Sequence, residues 1–294
     1  MLDPAQLSAL AAVLRLGSFD RAAASLNVTP SAISQRIKAL EEQVGTALII
    51  RGAPCTATTA GQRLARHAET LHMLNAGVLQ DLGLHLDANT PHIRIAVNAD
   101  SLATWFIPAL AETPGFRYDL LIDDQDHSAD WLRTGEVSAA ISSSGKPVAG
   151  CDQVPLGTLR YIATASPAFK DTWFGDGITA DTLSRAPCLT FDAKDALQST
   201  WSAARAGRPV SPPCHYLPST HVFIDAAALG LGWGMNPEPL IRAHLDAGTL
   251  VALAPEHPLD TPLDWLVSRH VAPALSRLTQ SVKAAARDVL RPQP

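Results

Sequence analysis

The stretch from Ser18 to Gly45 constrains the fold most, because the caps of two successive helices are written into it. Ser18 is a good N-cap for a short helix through Leu26, in which Ala22 and Ala23 permit close helix packing. Asn27 and Val28 make a tight connection. Thr29 then caps a longer helix that opens with Pro30, where the missing N–H costs nothing. Ile33, Ile37, Leu40 and Val44 form its apolar stripe, and Gly45 stops it. Upstream, Leu7, Leu10, Ala11 and Leu14 recur at helical spacing, so residues 4–15 read as an amphipathic helix ending near Gly17. Two helices joined by a short turn, the second longer, make a helix-turn-helix. Leu48-Ile49-Ile50 and the loop holding Gly52 and Pro54 add a β-hairpin wing.

On the longer helix Ser31, Ser34, Gln35, Lys38 and Glu42 share the face opposite the apolar stripe. Small hydroxyl side chains at its start let such a helix sit deep in a major groove. Gln35 can bond adenine bidentately, and Lys38 can reach guanine or phosphate. Arg36 lies on the flank, which suits a phosphate contact, and Arg51 at the foot of the wing is a second phosphate candidate. Thr29 and Pro30, at the helix start, complete the candidate DNA-contact set. The competing reading is an ordinary solvated helix face. The capped helix pair and the scarcity of acids at the helix start favour DNA.

Charge supports that division of labour. Six basic residues (Arg21, Arg36, Lys38, Arg51, Arg63, Arg66) face three acids (Asp20, Glu41, Glu42) between residues 18 and 66. Residues 91–294 carry sixteen basic against twenty-one acidic side chains, which is the whole net charge of −5. A basic footprint at one end suits a small DNA-binding head on an acidic body. The four cysteines (Cys55, Cys151, Cys188, Cys214) are scattered without a C-x-x-C pair and read as reduced thiols of a cytosolic protein. No apolar run long enough for a membrane span is present, and no signal-peptide pattern opens the chain.

Thr59 caps a long helix expected to reach about Leu86, with Leu64, Ala68, Leu71, Leu74, Val78 and Leu82 at spacings of three and four. Such a stripe suggests a two-stranded coiled coil and a dimer; packing on its own chain is the alternative. After the turn-rich Asp87–Pro91, short β runs alternate with helical stretches: 93–97, 120–122, 139–142, 161–165, 189–191, 232–235, 250–253 and 265–267. The pattern reads as α/β with largely parallel sheets, in two lobes around a cleft.

The run from Ala22 to Glu41, AAASLNVTPSAISQRIKALE, resembles the N-terminal signature of LysR-type transcriptional regulators. Thr59-Ala60-Gly61 resembles the start of that family's linker helix, and Leu132-Arg133-Thr134-Gly135-Glu136-Val137 a segment of its effector domain. Most of the family has Ser-Arg-Gln where this chain has Ser34-Gln35-Arg36. That order, with Ala96–Trp105, resembles a narrower branch, the ArgP/LysG type, which senses lysine or arginine and regulates basic amino-acid export. The resemblance implies a winged helix-turn-helix (residues 1–58), a linker helix and hinge (59–90) and a periplasmic-binding-protein-like effector domain of type II (91–294). In that domain lobe I covers about 91–163 and 268–294, and lobe II about 164–267. It also implies homodimers or homotetramers acting on promoter DNA with RNA polymerase, without a cofactor.

In open α/β sheets ligands bind at the carboxyl ends of strands. Asn98, Ala99, Asp100 and Ser101 follow the first body strand and open a helix, a suitable place for a ligand carboxylate, although Asp100 could instead cap the helix or meet an α-ammonium group. Asp123 and Asp124 follow the second strand and could pair with a cationic side chain; a solvated acidic loop is the alternative. Ser142 and Ser143 end the third strand, and Ser219 and Thr220 precede a helix of the second lobe, resembling the family's second helix-terminus contact. Lobe crossings are expected near 163–166 and 267–270.

Ser143-Ser144-Gly145-Lys146 matches S-x-x-K but reads as a turn with no partner motif, and the glycines of 230–234 lack nucleotide-loop spacing. No histidine pattern suggests a metal. The leading expectation is therefore a regulator answering to lysine or arginine. Its rivals are a related regulator with another effector, and an α/β solute-binding protein or enzyme whose first helices merely pack.

Overall fold

The computed structural model describes residues 1–82, 90–122 and 128–293. They form two compact units: Met1–Ile93 with the returning segments Gly115–Tyr118 and Arg269–Leu275, and the rest of the described chain.

The first unit begins with α1 (Pro4–Leu16), α2 (Phe19–Ser25) and α3 (Pro30–Val44). Each has the cap its sequence supplies. The Asp3 carboxylate, the Ser18 hydroxyl and the Thr29 hydroxyl accept from Ala5 N, Arg21 N and Ala32 N at 2.7, 3.4 and 3.1 Å. Gly17 and Gly45 end α1 and α3 in the left-handed conformation. The turn between α2 and α3 places Asn27 at φ 53°, a region asparagine tolerates better than most residues. Ile33, Ile37 and Leu40 of α3 join Leu7, Leu10 and Val13 of α1 in one core. Val44, expected on that stripe, is instead 39% exposed, because the helix has outrun the core by its last turn.

The wing is a two-stranded antiparallel hairpin, β1 (Ile49–Ile50) with β2 (Thr56–Ala57). It leads into α4 (Thr59–Asp81). Here the cap is Thr58 rather than Thr59: its hydroxyl accepts from Gly61 N at 3.0 Å and donates to Ala47 O at 2.8 Å, tying helix and wing. The apolar stripe of α4 is divided. Leu64, Ala68 and Leu71 pack into the head core, as the own-chain alternative had it, whereas Val78 and Leu82 stand 59% and 66% exposed. The expected residues beyond Leu82 lie outside the described chain.

The second unit is built on one mixed sheet, β10-β6-β11-β5-β3-β4, with β9 also paired to β6. The strands are β3 (His92–Val97), β4 (Arg117–Ile122), β5 (Ala139–Ser142), β6 (Cys151–Ala165), β9 (Gly234–Pro237), β10 (Val251–Ala252) and β11 (Leu259–Ser268). A separate parallel pair joins β7 (Cys188–Thr190) to β8 (Cys214–Tyr216), the latter a strand the sequence pattern does not reveal. The sheet is less parallel than expected: β3 and β5 run parallel, but the pairings of β6 with β9, β10 and β11, and of β11 with β5, are antiparallel. The cause is the long strands β6 and β11, which pair with each other antiparallel along the whole of β11, from Leu259 to Ser268. Only their apolar ends stand out in the sequence; Asp152, Gln153 and Arg160 break the pattern in the rest of β6. The two strands slip register between Leu263 and Asp264, opposite Gly157 at φ 135°. A Cβ on Gly157 would stand 2.6 Å from Arg291 O, so the close approach of the C-terminal segment requires glycine.

Apolar residues fill both ends. Ala96, Leu132, Ala140 and Leu266 cluster under β3 and β5, and Leu189, Phe223, Ile224 and Ile241 under the helices Thr220–Ala228 and Glu238–Asp246. Among the described residues no helix is long and apolar enough to cross a membrane.

Candidate functional sites

The surface of α3 is built as its spacing implies. Ser31, Ser34, Gln35 and Lys38 are exposed on one side while Ile33, Ile37 and Leu40 are buried on the other. Arg36 is half-buried on the flank. Lys38 meets Glu42 at 3.7 Å, but both side chains are largely exposed, and such a pair is worth little against water. The ammonium is therefore free to be drawn to a phosphate or base. Arg51 lies with its guanidinium 5.7 Å from the centre of the Phe19 ring, which holds it beside the start of α2. Glu41, on the inner edge of α3, has a job the sequence does not announce: its Oε1 accepts from Leu48 N at 2.7 Å, fixing the wing to the helix. Thr29 and Pro30, both exposed, stand at the N-terminal end of α3.

A second site is a cavity of about 250 Å³ in the second unit. Its walls come from the carboxyl ends of β3 (Asn98, Ala99, Asp100), β5 (Ser143) and β7 (Phe191, Asp192, Lys194, Asp195) and from the long strands (Tyr161, Thr261). Strand ends converge there because the peptide chain leaves the sheet at those points and side chains of loops and helix starts face one another.

Asp100 is the centre of this cavity's chemistry. Its carboxylate accepts from the Tyr161 hydroxyl at 2.7 Å and from the Thr220 hydroxyl at 2.9 Å. Desolvation pushes its pKa above the usual carboxylate range, against the lowering effect of those two hydrogen bonds, and neighbouring Asp195 pushes the same way. Tyr161 is raised well above its ordinary value by burial and by the same carboxylate. Directly after Ser101 the helix passes through a π-helical turn, Leu102–Phe106, before resuming at Ile107. Such turns are frequent at functional sites. Asn98 adds a buried Oδ1 with no hydrogen-bond partner among the described residues.

Across the cavity, Asp192 and Asp195 shape the loop after β7. Asp192 Oδ1 accepts from Lys194 N and Asp195 N at 2.8 and 3.0 Å, and the Asp195 carboxylate accepts from Phe191 N and Leu197 N, both at 3.0 Å. Both acids are half-buried. Among the described residues the lining thus holds three carboxylates (Asp100, Asp192, Asp195), one ammonium (Lys194) and the Asn98 amide oxygen. The charged side chains among them are therefore net negative, which suits a cationic molecule.

Of the candidates from the sequence, Asn98, Ala99, Asp100 and Ser143 line this cavity. Thr220 reaches it through Asp100 and lines a smaller adjoining hollow. Ser101 does not: it is fully buried beneath the helix, facing the core. Ser142 is 4% exposed and turns to Ser144 Oγ at 3.0 Å, one position too early in its strand to face the cavity. Ser219 is exposed, caps the following helix without a side-chain bond and does not line the cavity. Asp123 and Asp124 lie outside the described residues. Asp192 and Asp195 were legible by the rule that selected Asp123 and Asp124, since they too follow a strand. Tyr161 opens the expected β run 161–165, but nothing in that run marks it as a cavity residue, because the strand extends back to Cys151 and the pattern does not show it.

The raised pKa gives a pH dependence. Asp100 holds its proton more readily in the folded protein than in the unfolded chain, so ionising it opposes folding, and this loss sets in as pH rises from the unfolded pKa toward the folded one. A cation bound beside the carboxylate favours the ionised form. Cation affinity should therefore rise with pH through the Asp100 titration, with proton release on binding. Calorimetry in buffers of different ionisation enthalpy measures that release; none below the titration midpoint would mean that Asp100 does not meet the cation.

Comparison with known proteins matches both parts of the chain. Residues 4–62 match the family described as bacterial regulatory helix-turn-helix protein, lysR family, and residues 87–291 match the LysR substrate binding domain. The HTH-type transcriptional regulator LysG of Mycobacterium tuberculosis is 44% identical, covering 99% of this chain and 96% of the relative. The crystal structure of ArgP from the same species is similar with a TM-score of 0.80 and 44% identity, covering all of both chains. The lysine export transcriptional regulatory protein LysG of Corynebacterium glutamicum is 39% identical over 99% of this chain and 100% of the relative. The full-length structure of LysG from that organism with bound effector Arg has a TM-score of 0.67 at 37% identity, covering 99% of this chain and 100% of that one.

Proposed function

Because the chain belongs to the LysR family of bacterial transcriptional regulators, we propose that it controls basic amino-acid export genes, with lysine or arginine as the effector in the cavity around Asp100. The relatives carry this reading through their names: one is a lysine export regulator, and a LysG structure holds arginine. The observation within this chain that carries the effector is the net-negative lining that holds Asn98, Asp100, Asp192 and Asp195. A basic amino acid brings two cationic groups and one carboxylate, which matches three aspartates and Lys194 in sign. Asp100 takes one cationic group, with Asn98 Oδ1 as a further acceptor; Asp192 and Asp195 take the other. Ser143 and Thr261 serve the ligand's polar groups.

At the other end, Ser31, Ser34, Gln35 and Lys38 read the major groove, and Thr29, Pro30, Arg36 and Arg51 sit against the backbone. The regulator works as a homodimer or homotetramer at the promoter together with RNA polymerase, in the cytoplasm. The exposed Val78 of α4 and Leu82 just beyond it are the surface offered to a second copy. Its relatives are transcriptional regulators rather than enzymes.

The DNA half is tested by titrating the promoter of a neighbouring gene. Gln35→Ala should lose about 1–3 kcal/mol of specific binding and relax base preference at one position of each half-site. Lys38→Ala should flatten the salt dependence by about one unit of slope if it neutralises a phosphate. A double variant that binds as tightly and selectively as the original protein would remove α3 from the interface.

A further inference from the structure

Two of the four cysteines, far apart in sequence, stand side by side. β7 and β8 pair in parallel with Cys188 opposite Cys214, and their Sγ atoms are 3.0 Å apart. Neither is in a disulfide: Cys188 is fully buried and Cys214 is exposed. Neighbouring strands lie about 4.7–4.9 Å apart, inside the Cα window of about 4.4–6.8 Å that a disulfide requires. The backbone holds the pair in place, with Cys188 N donating to Pro213 O at 2.8 Å and Leu217 N to Thr190 O at 2.9 Å. The other two thiols have no such arrangement: Cys55 Sγ points to Gly52 O, and Cys151 is buried on a different sheet.

We propose that Cys188 and Cys214 form a thiol-oxidation site, which a low-molecular-weight disulfide such as oxidised glutathione converts to an intrachain disulfide. The exposed Cys214 attacks the reagent as its thiolate, releasing one equivalent of the small thiol and leaving a mixed disulfide. Cys188 then gives up its proton and attacks the Cys214 sulfur, releasing the second equivalent. Two protein thiols are oxidised, one disulfide reagent is reduced, and the two protons leave on the small thiols. The order follows from access. Burial and the adjacent Cys214 push the Cys188 thiol up to about 12, so it is the resolving partner rather than the first nucleophile.

The site's position ties it to the candidate effector cavity. The chain leaving β7 becomes the cavity wall of Phe191, Asp192 and Asp195, and the chain leaving β8 reaches Thr220, whose hydroxyl holds Asp100. A bridge at the root of both strands restricts their separation and slows opening of that wall. It also closes a loop between positions 26 apart in sequence, which disfavours the unfolded chain.

The test uses the full-length protein incubated with oxidised glutathione. Expected are a fall in free thiols from four to two, a mass lower by two hydrogen atoms, and a cross-linked peptide pair containing Cys188 and Cys214. The oxidised protein should unfold at a higher temperature and exchange the amides of Phe191 to Leu197 more slowly. Cys214→Ser, a change at an exposed position, should abolish all of these effects. Cys188→Ala should stop at the mixed disulfide on Cys214. A glutathione adduct persisting on Cys214 of the unaltered protein, four thiols remaining, or a lower unfolding temperature after oxidation would each overturn the proposal. None of these readouts depends on which effector binds.

Discussion

Asp100→Asn should abolish measurable arginine binding by calorimetry while leaving the protein folded and, near neutral pH, more stable. Removing one member of a buried ion pair costs about 3–5 kcal/mol because the other charge is left unpaired. At about 1.4 kcal/mol per decade, that weakens affinity by roughly two to three decades or more. The amide keeps the shape of the carboxylate and can still accept from the Tyr161 hydroxyl, while its N–H₂ can donate to Thr220 Oγ1. It also removes a charge that burial disfavours in the ligand-free protein, so thermal stability should hold or rise. The two signs together separate lost recognition from misfolding. Unchanged arginine affinity in this variant would detach the effector from Asp100, and a fall in both affinity and stability would mean that Asp100 is structural.

The second large effect is on folding of the head. Gly61 lies in the first turn of α4, and a Cβ built there would stand 1.8 Å from the Leu48 carbonyl oxygen and 2.8 Å from its carbon. Alanine normally gains about 1 kcal/mol over glycine inside a helix. That gain cannot be realised here, because the obstacle is backbone, and relieving it means moving α4 away from the wing. The movement would strain the Thr58 hydroxyl bond to Ala47 O and the Thr58 N–H bond to Leu48 O, at 2.8 and 3.1 Å. Gly61→Ala should therefore destabilise the head by about 3 kcal/mol, the upper end for overpacking, and weaken promoter binding with it. Chemical denaturation followed by circular dichroism measures the first; a midpoint equal to that of the unaltered protein would show that the wing gives way freely.

Gly61 also shows what kind of information the sequence carries. The Thr59-Ala60-Gly61 run resembles the family pattern, yet nothing in its spacing reveals that Leu48 lies against the glycine. Local signals are legible where they are self-contained. Thr29, Pro30 and Gly45 bound α3 because capping needs only neighbours in the chain, and the exposed face of Ser31, Ser34, Gln35 and Lys38 follows from helical period alone. Long-range pairing was not legible. β6 and β11 are half-exposed at several positions and carry Asp152, Arg160, Asp260 and Asp264, so their alternation is hidden, and with it the antiparallel character of the sheet. The cavity shows the same division. Asn98 and Asp100 follow from a strand that leads into a helix start, whereas Tyr161, at the edge of the 161–165 run, and Thr261 belong to the two strands of which the pattern shows only the apolar ends. Thr220 was selected for a ligand, but its hydroxyl donates to Asp100, a contact between positions 120 apart in sequence.

In the proposed function, binding of a basic amino acid at Asp100 changes how the head engages DNA. Footprinting of the promoter of a neighbouring gene by the full-length protein, with and without millimolar arginine, tests that claim most directly. Citrulline, which keeps the shape of arginine without the side-chain charge, is the control. The predicted result is a change in protection or affinity with arginine, absent with citrulline and absent in Asp100→Asn. An identical footprint in all conditions, or an equal response to citrulline, would contradict it.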